Sequence, residues 1–156
     1  MRVILDTSAI IYLNRFDIFQ EKLTVPGVIN EVKDRISRLK LSSMELRVEE
    51  PSTESIEKVR KVAESLGDID KLSQTDIKVL ALALEKGYTI VSDDRNIQNV
   101  AKKLGIEFIS IFSPRIKKLI VWKKFCKHCK KIFGIKETVC PICGSRLIRI
   151  RWKENA

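Results

Sequence analysis

Val3-Ile4-Leu5-Asp6-Thr7-Ser8-Ala9 decides how the first two thirds of the chain is read. Residues 2–5 form a short, β-branched-rich strand candidate whose Val3-Ile4-Leu5 run is free of polar alternation, the pattern of a strand buried in a parallel sheet. Thr7 and Ser8 then offer N-caps for a helix carrying Ile10, Ile11, Leu13 and Phe16. Outward from this start the same strand-then-helix grammar repeats. Leu23-Thr24-Val25 is a short strand candidate. Pro26 suits the first turn of a helix with apolar positions Val28, Ile29, Val32, Ile36 and Leu39. A weak strand at 44–48 precedes a polar helix from Pro51-Ser52-Thr53 to about Leu66, and a turn at 67–70 follows. Ser73 opens an apolar helix closed by Gly87 as its left-handed cap. Tyr88-Thr89-Ile90-Val91 is a strand, Asp93 or Asp94 caps a helix ended by Gly105, and 107–111 is the last strand. Strands alternating with helices predict an α/β domain with a parallel sheet over residues 1–113.

Several acids stand where folding alone would not place them. Asp6 directly ends one apolar strand, and Asp93-Asp94 directly follow another. In parallel α/β sheets ligands bind beyond the carboxyl ends of the strands. Carboxylates that converge there without basic partners repel one another, and a hard divalent cation resolves the repulsion. Glu31 and Asp76 sit where they could join from the sides. Each acid also has a plain structural reading. Asp6 fits as a helix cap, and Glu31 stands four residues before Arg35, the spacing of a solvated ion pair. Asp76 lies three after Ser73, at the capping-box position, and one of Asp93 and Asp94 is a cap.

Beyond Ser113-Pro114 the character changes. Residues 1–113 carry 17 Lys and Arg against 18 Asp and Glu, whereas 114–156 carry 13 against 2. Such asymmetry is the electrostatic footprint of a polyanion partner. All four cysteines of the chain lie in this tail as two CxxC pairs, Cys126-Lys127-His128-Cys129 and Cys140-Pro141-Ile142-Cys143. Two such turns complete a tetrahedron of thiolates around one structural zinc, with no open position for catalysis. Disulfides or free buried thiols are the alternative. His128, the only histidine, reads as a solvated loop residue. A ribbon this small cannot bury enough apolar surface alone, so zinc would supply its folding energy. The expected organisation is 1–113 α/β domain, 114–120 basic linker and 121–156 zinc ribbon, with strands at Val121 to Phe125 and Arg146 to Trp152. Candidate phosphate contacts are Lys117, Lys118, Lys123, Lys124, Lys127, Lys130, Lys131, Arg146, Arg149 and Arg151. Alternation along 146–151 prevents the arginines there from sharing one face. Trp122, Phe125, Phe133 and Trp152 could stack on bases, with ribbon core the plainer role for Trp122 and Phe125. No apolar run is long enough to span a bilayer and Asp6 interrupts any signal-like start, so a soluble, cytoplasmic protein is expected.

Taken together, the pieces match a family pattern. Val3-Ile4-Leu5-Asp6-Thr7-Ser8-Ala9, Glu31, Leu72-Ser73-Gln74-Thr75-Asp76-Ile77 and Val91-Ser92-Asp93-Asp94, in this order, resemble a PIN domain, a three-layer α/β/α nuclease fold. Ser92 stands where that family usually has Thr, which aligns Asp94 with its last acid and leaves Asp93 in an ambiguous register. With the four-cysteine ribbon and the run Ile97-Gln98-Asn99-Val100-Ala101, residues 1–152 resemble the compact archaeal Nob endonucleases, which trim the 3′ end of small-subunit rRNA. The resemblance implies Mg²⁺ or Mn²⁺ held by Asp6, Asp76 and Asp94, with Glu31 binding a second ion or orienting water. It also implies 5′-phosphate and 3′-hydroxyl products, a preribosomal particle as partner and, by analogy, a homodimer. A single histidine cannot supply an acid–base pair of histidines for attack by the 2′-hydroxyl, which weakens the metal-free route. Two other readings compete: a toxin-type PIN ribonuclease acting on tRNA or mRNA, and a non-catalytic RNA-binding assembly factor.

Overall fold

A computed structural model describes residues 1–112 and 114–152. The expected boundary residue Ser113 and the last four residues of the expected ribbon, 153–156, lie outside the described residues. Five strands, β1 (Arg2–Leu5), β2 (Glu21–Thr24), β3 (Arg47–Val48), β4 (Thr89–Val91) and β5 (Phe108–Ile109), form one sheet in the order β3-β2-β1-β4-β5. Every pairing in it is parallel. The helices are α1 (Thr7–Tyr12), α2 (Pro26–Glu31), α3 (Arg35–Ser43), α4 (Thr53–Leu66), α5 (Gln74–Lys86) and α6 (Arg95–Leu104), with a 3-10 turn at Ile69–Lys71. The expected α/β architecture with a parallel sheet is the one observed.

Burial explains the apolar strands. Val3, Ile4, Leu5, Ile90 and Val91 are all fully buried or nearly so, because α5 packs against β1 and β4 at the centre of the sheet. Strand order places the site. The chain builds outward from β1 to β3 on one side and returns to build β4 and β5 on the other. The reversal falls between β1 and β4, and a crevice at the carboxyl ends of the strands opens at such a switch point. Register pairs Leu5 with Val91, so Asp6 and Ser92, the next residues of each strand, come face to face.

Local details depart from the sequence-based expectation in three places. Asp6 caps α1, as its plain structural reading had it, in place of the Thr7 or Ser8 caps also offered, its side chain accepting from the Ala9 N–H. That helix ends at Tyr12, short of Phe16. The Lys40 ammonium donates to the carbonyls of Ile11 at 2.8 Å and Leu13 at 3.0 Å, satisfying groups that a continuing helix would have used. The single helix expected from Pro26 is two helices. Its break lies at 32–34, where Asp34 caps a new start by accepting from the Ser37 N–H at 2.9 Å. The break resets the helical phase, so Ser37 is buried while Ile36 and Leu39 are 70% and 60% exposed.

The tail forms a second, antiparallel sheet in the order β7-β6-β8, from β6 (Val121–Phe125), β7 (Ile132–Phe133) and β8 (Ile148–Trp152). Its buried core is small: Cys126, Cys140 and Leu147, with Cys129 and Phe133 against them. No helix among the described residues is long and apolar enough to cross a membrane.

Candidate active site

Asp6, Glu31, Asp76 and Asp94 line one cleft of about 290 Å³ at the switch point, together with Thr7, Ser8, Tyr12, Thr75 and aliphatic side chains. No Lys, Arg or His lines it, and none of the four acids belongs to an ion pair among the described residues. The spacing argument for a Glu31–Arg35 pair fails because the two residues fall in different helices.

Each acid is delivered by a different element. Asp6 leaves β1 and is only 5% exposed. Its Oδ1 accepts from the Ser8 hydroxyl at 2.7 Å and the Ala9 N–H at 2.8 Å, and its Oδ2 accepts from the Ser92 hydroxyl. Burial pushes its carboxyl up to about 6, with Ser92, Ala9 and Ser8 opposing and the nearby Asp94 adding to the rise. Asp94 caps α6, its Oδ1 accepting from the Asn96 N–H at 2.8 Å. Asp76 closes a capping box with Ser73 at the start of α5. Burial raises its pKa as well, Ser73 opposes, and the Asp94 and Glu31 carboxylates add to the rise. Glu31 ends α2 and accepts from the Thr7 hydroxyl at 2.6 Å. The capping roles and the cleft are therefore not alternatives: Asp6, Asp76 and Asp94 each cap a helix and face the cleft.

Gly27 lets α2 come this close to α5. A Cβ there would lie 2.5 Å from the Thr75 hydroxyl, so any larger residue would push Glu31 away from Asp76. Gly27 and Tyr12 belong to no motif in the sequence, and Thr75 lies inside one without a role of its own there. Their role appears only when helices distant in sequence meet.

The adjacent pair Asp93-Asp94 is divided by the fold. Asp93 turns away from the cleft and accepts from the backbone N–H groups of Ile111 and, at 3.0 Å, Phe112, pinning the chain after β5. It is removed from the set of candidate catalytic acids. We expect Asp94→Asn to lose metal-dependent cleavage, whereas Asp93→Asn lowers the melting temperature but leaves kcat within about twofold. Parallel melts and initial rates would check this, and a large kcat loss in Asp93→Asn would overturn the division.

What the cleft suits is a cation. Mutually repelling carboxylates, two of them desolvated, are the donor set of a hard divalent ion. The acids do not crowd as the cysteines do. Only the four thiols, among the described residues, bring their ligand atoms within 4.8 Å of one another. An ion that keeps several waters and takes one or two carboxylates fits the looser arrangement, as Mg²⁺ does.

The cysteines form a closed, four-sulfur set. Sγ of Cys126 lies 3.6 Å from that of Cys143, and Sγ of Cys140 lies 3.9 Å from that of Cys129. Two similar turns present them. Lys130 N–H donates to Cys126 O at 2.9 Å, and Gly144 N–H donates to Cys140 O at 2.8 Å. The residue after each CxxC has positive φ, 58° at Lys130 and 74° at Gly144. This donor set and spacing fit zinc.

Among the ten basic residues named from sequence, Lys117, Lys118, Lys127, Lys130, Lys131, Arg146 and Arg151 are exposed, and Lys123 and Lys124 are half-buried on β6. Arg149 is a correction: it faces inward. Its guanidinium donates to Gly67 O at 2.9 Å, lies 3.4 Å from an Asp68 carboxylate oxygen, and sits 4.1 Å from the centre of the Trp122 ring. It is not placed to meet phosphate.

Comparison with known proteins shows the family of the chain. Residues 3–85 match the model for the PIN domain of ribonuclease. Endoribonuclease Nob1 of Archaeoglobus fulgidus is 44% identical over 157 residues, covering 97% of this chain and 92% of that protein. Endoribonuclease Nob1 of Pyrococcus abyssi is 40% identical, covering 93% and 91%. Ribonuclease VapC1 of Thermoplasma acidophilum is 41% identical, covering 96% and 78%. The chain belongs to the PIN-domain ribonucleases and, among them, to the Nob1 endoribonuclease family. It is an endoribonuclease.

Proposed function

We propose that this endoribonuclease is metal-dependent and cleaves precursor small-subunit rRNA at its mature 3′ end, within a cytoplasmic preribosomal particle. The observation that carries the reading is one cleft lined by four acids and, among the described residues, by no Lys, Arg or His, in a chain that also carries a strongly basic ribbon. The acids alone would repel RNA, so affinity must come from elsewhere in the chain. Residues 114–156 supply it, with 13 Lys and Arg against 2 Asp and Glu. The likeness to proteins named Endoribonuclease Nob1 over nearly the whole chain supports the rRNA substrate.

In this reading Asp6, Asp76 and Asp94 hold Mg²⁺ or Mn²⁺ and Glu31 orients the attacking water or assists a second ion. A bound divalent cation supplies an acidified water and charge neutralisation at the phosphorane. The protein's own residues fix the ligands. Ser8, Ala9 N–H and Ser92 hold Asp6, Ser73 holds Asp76, and Thr7 holds Glu31. Zinc in the four-cysteine site shapes the ribbon, and Lys117, Lys118, Lys127, Lys130, Lys131, Arg146 and Arg151 contact phosphates, with Lys123 and Lys124 contributing from β6.

A second reading, a toxin-type ribonuclease acting on tRNA or mRNA, is favoured by the name of the Thermoplasma relative. One experiment separates the two. RNA spanning the small-subunit 3′ boundary, bulk tRNA and an mRNA fragment are incubated with protein and Mn²⁺, with and without chelator, beside Asp76→Asn. A single cut at the mature end, absent in chelator and in the variant, is expected. Efficient cutting of tRNA or mRNA with the boundary RNA intact would replace the first reading with the second.

A further inference from the structure

Asp68 is a buried acid that the cleft does not use. It is fully buried, just after α4 ends at Gly67, and it does not line the acidic cleft. Its Oδ2 accepts from the Asn99 amide at 2.6 Å, and its Oδ1 lies 3.4 Å from the Arg149 guanidinium. Burial raises its pKa, while Asn99, Arg149 and Trp122 hold it down. A carboxylate is tolerated in such a place only when it is paired and hydrogen-bonded. Among the described residues its one cationic partner, Arg149, comes from β8, on the other sheet.

The same junction is clamped at further points. The Asn99 amide donates to Ile120 O at 2.7 Å, and the Ile120 N–H donates to Asn99 Oδ1 at 2.8 Å, so both backbone groups of the residue before β6 are held by α6. Gln98 Oε1 accepts from the Ile116 N–H at 3.1 Å. Gly67, at φ 77°, packs so tightly on the ribbon that a Cβ there would lie 2.8 Å from Trp122 Cβ. Arg149 is stacked on that same indole. A ribbon on a loose tether would need no buried charge, no paired amide clamp and no fitted glycine.

We infer that Asp68 and Arg149, with Asn99 and Trp122, latch the basic ribbon onto the α/β unit in one pose, making them positioning residues that set which phosphate reaches the cleft. The inference rests on the nuclease reading above. A tethered ribbon would only raise the local concentration of RNA. A latched one holds its RNA element at a fixed offset from the acids, so the substrate is chosen by distance as well as by charge.

Arg149→Ala tests the latch, with Arg146→Ala as the control that removes the same charge from an exposed position. Backbone ¹⁵N relaxation on the zinc-loaded full chain should show wild-type ribbon and α/β amides tumbling as one body. In Arg149→Ala the ribbon amides should acquire a distinctly shorter correlation time. On a short oligonucleotide carrying only the scissile site, Arg149→Ala should cut as wild type does. On the long boundary RNA it should lose about tenfold in rate or spread its cuts to neighbouring phosphates. Arg146→Ala should weaken binding without moving the cut. If Arg149→Ala does not fold, Gly67→Ala presses on Trp122 from the facing side and tests the same docking. Independent tumbling of the wild-type ribbon, or an unchanged single cut by a folded Arg149→Ala, overturns the latch. Absence of any cleavage by wild type overturns the nuclease reading instead, and the relaxation result stands apart from it.

Discussion

Asp6→Asn is expected to abolish cleavage and, in chelator at pH 7.5, to make the protein harder to unfold. Both effects come from one carboxylate, the first from its role as a ligand and the second from its burial. The Asp6 carboxyl is 5% exposed and pushed from 3.8 up to about 6. Its folded-state pKa lies above its unfolded value, so between about 4 and 6 the native state binds more protons than the unfolded chain. Stability from this group is therefore present below about pH 4 and is lost as pH rises through about 6. At pH 7.5 the buried charge costs about 3 kcal/mol. Asparagine avoids that charge and keeps the helix cap, because its Oδ1 can accept from Ala9 N–H as the carboxylate does. A gain of about 1–3 kcal/mol, or roughly 3–10 °C, should appear in metal-free melts. The gain should shrink toward pH 4, where the wild-type carboxyl is protonated. Cleavage should fall by at least about a thousandfold, the scale of a lost metal ligand. Divalent metal should raise the melting temperature of wild type far more than that of the variant. An Asp6→Asn protein less stable than wild type at pH 7.5, or one that still cuts RNA, would contradict the account.

The second large effect should follow zinc removal, by chelation or by Cys140→Ser. The ribbon's buried core is Cys126, Cys140 and Leu147, with Cys129 and Phe133 packed on it. So few apolar groups cannot offset the ordering of three strands. A structural zinc contributes about 10–16 kcal/mol in small sites of this kind. We expect about one zinc released per chain, collapse of the ribbon amide shifts, and retention of those from the α/β unit, whose core shares none of the cysteines. RNA affinity should fall by about a hundredfold at moderate salt, and its dependence on salt should flatten, because phosphate contacts release counterions. Ribbon shifts unchanged after complete zinc removal would refute the assignment of its folding to the metal.

Much of the fold was legible because its causes are local. Val3-Ile4-Leu5 could be read as a buried parallel strand from composition alone, and Tyr88-Thr89-Ile90-Val91 as a strand. Gly87 and Gly105 mark helix ends at φ 68° and 73°, where only glycine is free of strain. Where the reading failed, a side chain acted across the chain. Lys40 reaches α1 and helps to end it, and Asp34 restarts a helix that periodicity alone would continue.

For the site, residue type and spacing already carried the expected chemistry: acids after strands, two CxxC turns and a basic tail. These are properties of residue type and spacing, and the likeness to a nuclease family followed from them. Which groups meet was set by contacts between elements distant in sequence. The fold split Asp93 from Asp94, because one carboxylate found backbone donors at 111–112 while the other capped α6. It let Glu31 approach Asp76 through the missing side chain at Gly27, and it turned Arg149 from a candidate RNA contact into a partner for buried Asp68. Orientation of a side chain depends on partners far away in sequence, and no local pattern encodes them.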